Sequence, residues 1–390
     1  MIPLMKDAFV REQDAKDALA AFVRTAGKLS MGEQCQRFEE AFAAVQNRKH
    51  AVLVNSGASA NLLLLQALRN LGRLKDDDKI GFTALTWSTN VMPIIQMGFE
   101  PVPIDCEVAS LNSSSKTLLA RLAEIDLQAF FITNVLGFAG DLGEIRRICE
   151  ERGILLLEDN CEALGTELDG TKTGNFGSAA TFSFFIAHHL STIEGGMLVT
   201  DDGELATMIR IARANGWDRN LPAAEQVRLR KAHNVNSELY AKYTFYDLGF
   251  NFRPTEITGF LGLHQLALLE ENIAMRARNY REIEELIVHH PDFIAVEHDH
   301  ITRISPFCMP FVCKSRDLFH KYTAAFAESG VEIRPVIAGN IQLQPFYKKY
   351  VVASYPVENT DFVHACGFYC GNYPELTRSD LECFKSCLLG

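Results

Sequence analysis

The sequence predicts an α/β fold: a mostly parallel sheet with helices on both faces. Two observations predict it. Short apolar runs alternate with amphipathic helical patterns through the first two thirds of the chain, with no internal repeat or low-complexity tract. The chain also has 390 residues, 47% hydrophobic and 22% charged, enough to bury a core without disulfides or metals. Candidate strands are Ala51–Val54, Lys79–Phe82, Pro101–Ile104, Ala129–Asn134, Ile154–Glu158, Ala180–Phe184 and Gly196–Thr200. Helical patterns lie between them at Ala60–Leu71, Asn90–Met97, Lys116–Ile125, Leu142–Arg152 and Glu204–Ala214. Ligands of such sheets bind beyond the carboxyl ends of the strands. A longer helical pattern, Glu256–Leu286, leaves this domain, and the remainder reads as a smaller α/β domain. The expected division is residues 1–270 and 271–390.

Charge narrows the function classes. Thirty-eight basic and 49 acidic side chains give a net charge of −11, which argues against nucleic acid as the main partner. A local basic pocket for a phosphorylated small molecule stays open. No apolar run reaches about 18 residues, so no membrane span is expected. Met1 to Lys16 carries both charge signs and no apolar core, so no secretory leader is read and a cytoplasmic protein is expected. Ten cysteines are scattered without a CxxC pair. The Cys366/Cys370 and Cys383/Cys387 spacings permit zinc without specifying it. Cys383, Phe384 and Cys387 also fit the apolar face of a C-terminal helix, and that reading is preferred; no metal is expected.

Four motifs carry candidate chemistry. Asn55-Ser56-Gly57-Ala58-Ser59-Ala60-Asn61 follows a strand and opens a helix. Such a small-residue turn brings backbone N–H groups and a helix dipole to an anion, although it is also an ordinary capped turn. It is neither a P-loop nor a dinucleotide fingerprint. Ile154 to Glu162 is a buried strand ending in Glu158, Asp159 and Glu162. Carboxylates there need partners, and Asp159 suits a protonated ring nitrogen as well as a strand-end cap. Phe182 to His189 ends a further strand at two adjacent histidines, followed by Glu194-Gly195-Gly196. The two imidazoles point different ways, so at most one need be functional. Leu248 to Glu256 contains Arg253, a planar fork suited to phosphate, beside Pro254, which suits helix entry.

In this order and spacing the four motifs resemble the DegT/DnrJ/EryC1/StrS group of sugar aminotransferases, from Leu29-Ser30-Met31-Gly32 to Gly371-Asn372. The resemblance implies a fold type I architecture, as in aspartate aminotransferase. That is a seven-stranded mainly parallel sheet, a small C-terminal domain and a homodimer with shared active sites. It implies pyridoxal or pyridoxamine 5′-phosphate as cofactor. Gly57 and Ala58 match its phosphate-binding amides and Ser183 a phosphate-binding hydroxyl. Trp87 matches the residue stacked on the pyridine, and Asp159 the partner of its ring nitrogen. Glu162 stands where many members have Gln and can reach the cofactor's 3′ oxygen. Asn251 and Arg253 match the segment entering from the neighbouring subunit.

One departure decides the expected function. Counting from Ser183, the Schiff-base lysine position holds His188, and no lysine lies between Thr173 and Arg230. An imidazole cannot form that bond. Ala187-His188-His189 with the later Glu-Gly-Gly resembles the sugar 3-dehydratase branch of the family, as do Ala338 to Ile341 and Asn90 to Gln96. The resemblance implies a nucleotide-linked 4-keto-6-deoxy sugar as substrate, His188 as base and loss of the C3 hydroxyl. It implies L-glutamate as amine donor, release of ammonia, and a place in deoxysugar or lipopolysaccharide O-antigen synthesis. Neutral imidazole suits such a base. Iron–sulfur members of the branch carry a mid-chain cysteine cluster. No cysteine lies between Cys161 and Cys308 here, so no iron–sulfur cluster is expected. Asn215 stands where the family often has His, and it cannot supply a proton. Arg219 and Arg334 are candidates for the diphosphate or for surface ion pairs. Two other functions stay open: an aminotransferase with an unusual base, and a cofactor-binding sensor without turnover.

Overall fold

The computed structural model describes residues 1–389. In chain order its strands are β1 His50–Val54, β2 Lys79–Thr83, β3 Glu100–Ile104, β4 Ala129–Thr133, β5 Leu155–Asp159, β6 Glu167–Leu168, β7 Thr171–Lys172, β8 Ala179–Ser183 and β9 Gly196–Thr200. The small C-terminal region adds β10 Phe293–Ile294, β11 Cys308–Cys313, β12 Ile333–Pro335 and β13 Gly367–Gly371. Seven strands form one sheet in the order β1-β9-β8-β5-β4-β2-β3. All neighbours in it run parallel except β9, which is antiparallel to both β1 and β8. Each expected strand of this sheet is present within a residue or so at either end. The unforeseen pair β6 and β7 forms a two-residue-per-strand hairpin.

Burial on both faces explains the near-continuous apolar runs, since every position of β4 and β9 is buried. Alternation sorts the side chains: Phe131 packs with Leu63, Leu64, Leu68 and Phe82 on one face, and Phe130 and Ile132 with Leu142, Ile145 and Ile148 on the other. Local signals set the helix ends. Ser56 accepts from the Ser59 N–H and starts helix Gly57–Asn70 three residues before the apolar pattern does. Gly153, at φ 68°, ends helix Leu142–Arg152 in the left-handed conformation that glycine adopts without strain.

The long pattern from Glu256 to Leu286 is two helices, Glu256–Leu266 and Leu269–Ile287, with the break at Ala267–Leu268. Thr255 caps the first by accepting from the Thr258 N–H. The Glu256 carboxylate instead accepts from the N–H groups of Gly32, Gln34 and Cys35, capping helix Glu33–Gln46. The second helix crosses to the small antiparallel sheet, ordered β10-β11-β13-β12. Phe311, Tyr322, Phe326, Phe368 and Phe384 fill that core, with Cys370 and Cys387 among them. Among the described residues no helix is long and apolar enough to cross a membrane.

Candidate active site

The site is built at the carboxyl ends of β1, β4, β5 and β8. Asp159 closes β5 and is 3% exposed. Its Oδ2 accepts from the side-chain amides of Asn61 at 2.8 Å and Asn90 at 2.7 Å, and its Oδ1 from the Cys161 N–H at 2.8 Å. A second layer orients those amides. Thr181 donates to Asn61 Oδ1 at 2.6 Å, and Thr86 to Asn90 Oδ1 at 3.0 Å, so each amide nitrogen faces the carboxylate. Three N–H donors around one anion make it a fixed, partnered charge. Glu158 points elsewhere. It accepts from the Gly174, Phe176 and Gly177 N–H groups at 2.7–2.8 Å and is structural.

Gly57 and Ala58 open a 14-residue helix, where backbone N–H groups have no helical acceptor. A Cβ at Gly57 would lie 2.6 Å from Ser183 Cβ and 3.1 Å from Cys161 Sγ. Glycine is therefore required for the helix start to lie against the ends of β8 and β5. Two amides, a hydroxyl and a helix dipole together suit a phosphate dianion. Trp87 precedes helix Ser88–Gln96, and its indole is 56% exposed, leaving a flat apolar face free for a ring.

His188 stands on the turn after β8, its N–H bonded to the Phe185 carbonyl at 2.9 Å. The half-buried imidazole lies 5.1 Å from the Phe307 ring, and its Nδ1 is buried without a partner. Burial first, and the Arg276 charge second, push its pKa down to about 3. It is therefore neutral at physiological pH. His189 is 2% exposed, with Nε2 3.0 Å from the Ser305 carbonyl and, like His188, a buried Nδ1 without a partner. Glu162 accepts from the Leu136 N–H at 2.9 Å. Burial pushes its carboxyl up to about 7 against that bond, and the Asp159 charge adds to the rise. A phosphorylated, protonated pyridine fits this set: amides and hydroxyl for the phosphate, Asp159 for the ring nitrogen, Trp87 for the ring face.

The model of the DegT/DnrJ/EryC1/StrS aminotransferase family matches residues 11–387. The chain belongs to that family. A GDP-4-keto-6-deoxy-D-mannose 3-dehydratase of Yersinia pseudotuberculosis is 32% identical over 352 residues, 88% of each chain. Another, from Escherichia coli O55:H7, is 33% identical over 350 residues, 88% of this chain and 89% of its own. A crystal structure of GDP-4-keto-6-deoxymannose-3-dehydratase, with a trapped adduct of pyridoxal phosphate and glutamate, matches with a TM-score of 0.91 at 30% identity and covers 100% of both chains. The fold is that of the pyridoxal-phosphate-dependent aminotransferases.

Against this family frame, the structure brings Gly57, Asp159 and Ser183 together, with Glu162 and Trp87 joined through their neighbours. Among the described residues, none of Asn215, Arg219, Asn251, Arg253 and Arg334 hydrogen-bonds to that group within one chain. Asn215 has φ 57°, a left-handed conformation that Asn tolerates, and its N–H bonds the Phe250 carbonyl at 2.7 Å. Arg219 lies 3.9 Å over Trp217 and 4.7 Å over Tyr243. Arg253 bonds Asn251 Oδ1 at 3.0 Å and faces Trp217. Exposed Arg334, on β12, is paired with Glu332, which precedes that strand. Sequence reasoning assigned no role to Asn61, Asn90 or Thr181, although Asn61 closes the first motif. Four residues after the helix start at Gly57, it lies one turn inward, and that spacing is the only signal it offers.

Proposed function

We propose that this chain is a pyridoxal/pyridoxamine-phosphate-dependent nucleotide-sugar 3-dehydratase acting on a nucleotide-linked 4-keto-6-deoxy sugar. Glutamate is the reductant: the sugar loses one oxygen while glutamate becomes 2-oxoglutarate and ammonia. The observation that carries the reading is His188, a neutral imidazole with a free Nδ1, at the position where an aminotransferase of this family needs a lysine amine. The relatives that support it are 3-dehydratases by name. When bound, the cofactor supplies an amine for the sugar ketone and an electron sink beside the carbon that loses its hydroxyl. Gly57, Ala58 and Ser183 hold its phosphate, Trp87 covers its ring, and Asp159 keeps a proton on the ring nitrogen. His188 takes up a proton at its imidazole and returns it to a departing hydroxyl. Glu162, with a carboxyl near 7, holds a proton for much of the time at neutral pH and donates to an oxygen above it.

We place Asn251 and Arg253 against the neighbouring subunit's cofactor, which makes the working unit a homodimer. Ten free cysteines suit the reducing cytoplasm. The test is product mass. The protein is mixed with pyridoxal phosphate, glutamate and a panel of nucleotide 4-keto-6-deoxy sugars. The expected product is lighter by one oxygen, keeps a ketone and comes with ammonia, and His188→Asn lowers its rate by roughly a hundredfold or more. New nitrogen on the sugar would make the chain an aminotransferase. Cofactor binding with no turnover on any sugar would favour a sensor.

A further inference from the structure

Arg276, in the helix Leu269–Ile287, is 4% exposed and, among the described residues, has no carboxylate within ion-pair distance. A buried charge without a counter-ion is expensive unless oxygens surround it. Here all of them are neutral. Its Nε donates to Asn272 Oδ1 at 2.8 Å. Its Nη1 donates to the Phe307 carbonyl at 2.9 Å and the Asn372 carbonyl at 2.5 Å, and its Nη2 reaches the Ala187 carbonyl at 3.4 Å. Asn272 extends the fork by donating to the His189 carbonyl at 2.5 Å. The Asn372 side chain closes the ring by donating back to the Arg276 and Pro306 carbonyls at 3.1 and 3.2 Å. One guanidinium and its two asparagines therefore hold the main chain on both sides of His188, together with the ends of β11 and β13.

We propose that Arg276 is the positioning residue for His188: its guanidinium fork, with Asn272, fixes the turn Ala187–His189 and so sets where the imidazole stands. The proposal rests on His188 being the base of the reaction proposed above. The charge adds a second effect. Arg276 opposes protonation of both His188 and His189, after burial itself. The other groups facing His188 are His189 on its own turn, the Cys161 main chain, and Asp7 and Glu375, which line the same small cavity. A purely structural cross-domain clamp would not link this fork to the base's titration.

The test uses the full chain without cofactor and two readouts. Imidazole NMR titration, with His188→Asn identifying the signal, reads the base. Amide exchange over residues 185–192 reads the turn. Arg276→Gln removes the charge and the fork, and should raise the His188 midpoint by roughly one pH unit. Arg276→Lys keeps the charge and loses the fork: the midpoint stays, while the turn exchanges roughly tenfold faster than the rest of the sheet. Asn272→Ser should speed the same turn. In turnover, each variant should lower kcat roughly tenfold with KM for the sugar held within about twofold, and the acid limb of the Arg276→Gln rate profile should move to higher pH. A folded Arg276→Gln protein with wild-type midpoint and turn exchange overturns the proposal. If that variant does not fold, wild-type turn exchange in both Arg276→Lys and Asn272→Ser overturns it. If the wild type dehydrates no sugar, the dehydratase reading fails, and the two cofactor-free readouts alone decide the clamp.

Discussion

At the scale of single residues, the site separates its acids and bases by their surroundings. Asp159 and Glu162 lie three residues apart, yet one is met by three N–H donors and the other by one. That difference makes Glu162 measurable. Its folded pKa is about 7 against an ordinary 4.5, so the fold binds its proton more tightly than the unfolded chain does. This contribution to stability is complete below the ordinary value and is lost as pH rises through the folded one. Glu162→Gln removes the dependence while keeping an oxygen for the Leu136 N–H. The variant should match the wild type near about pH 5 and exceed it by on the order of 2 kcal/mol near about pH 8 in the cofactor-free protein. Denaturant melts at the two pH values check this, and a difference that shrinks with pH would contradict the assigned protonation.

At the scale of elements, Gly57 is where a helix start meets two strand ends. Gly57→Ala should destabilise the protein by about 1–3 kcal/mol, because the Ser183 side chain and Cys161 must move. It should also weaken pyridoxal phosphate binding by roughly tenfold or more, as the amides withdraw from the phosphate. Fluorescence titration of Trp87 against the cofactor reads the second effect. The central strands were legible because burial on both faces leaves runs such as Leu155 to Leu157 no polar alternation to confuse them. Helix starts were less so. Ser56 caps a helix whose first turn is all small residues, so the apolar pattern begins late. The break at Ala267–Leu268 has no Gly or Pro to mark it, and apolar spacing runs through it. In the site, residue type alone left Asp159 open to a strand-end cap and the His188–His189 pair open to a structural role, and it was the family resemblance that singled out Asp159 and His188. Arg276 was not legible, because a lone Arg in a charged helical stretch reads as solvent-facing, and only packing reveals its burial.

At the scale of the whole molecule, one stretch of chain turns a row of large apolar side chains outward. Val227, Leu239, Tyr240, Tyr243, Phe245 and Leu248 are all exposed, beside the Trp217–Arg219 stack and the Asn251–Arg253 segment. Apolar surface of that extent is the mark of an interface. Leu248, 70% exposed, is the most direct probe. If the homodimer proposed above forms through this patch, Leu248→Asp should give monomers by light scattering and lower cofactor affinity, as Asn251 and Arg253 would then leave the neighbouring site. A variant that stays dimeric with full affinity would separate this patch from the subunit contact.

The place of β9 in the sheet governs when the proposed phosphate cup can exist at all. β1 is an edge strand whose one neighbour is β9, and β9 in turn joins it to β8. Gly196 makes the join tight, since a Cβ there would sit 2.3 Å from the Ser56 carbonyl. On a ribosome, then, the segment bearing Gly57 waits without a pairing strand until residues 196–200 have emerged. Nascent chains ending before that point hold Asp159 and Ser183 but no cup, and the long wait makes closure of this edge a slow, non-local step of folding.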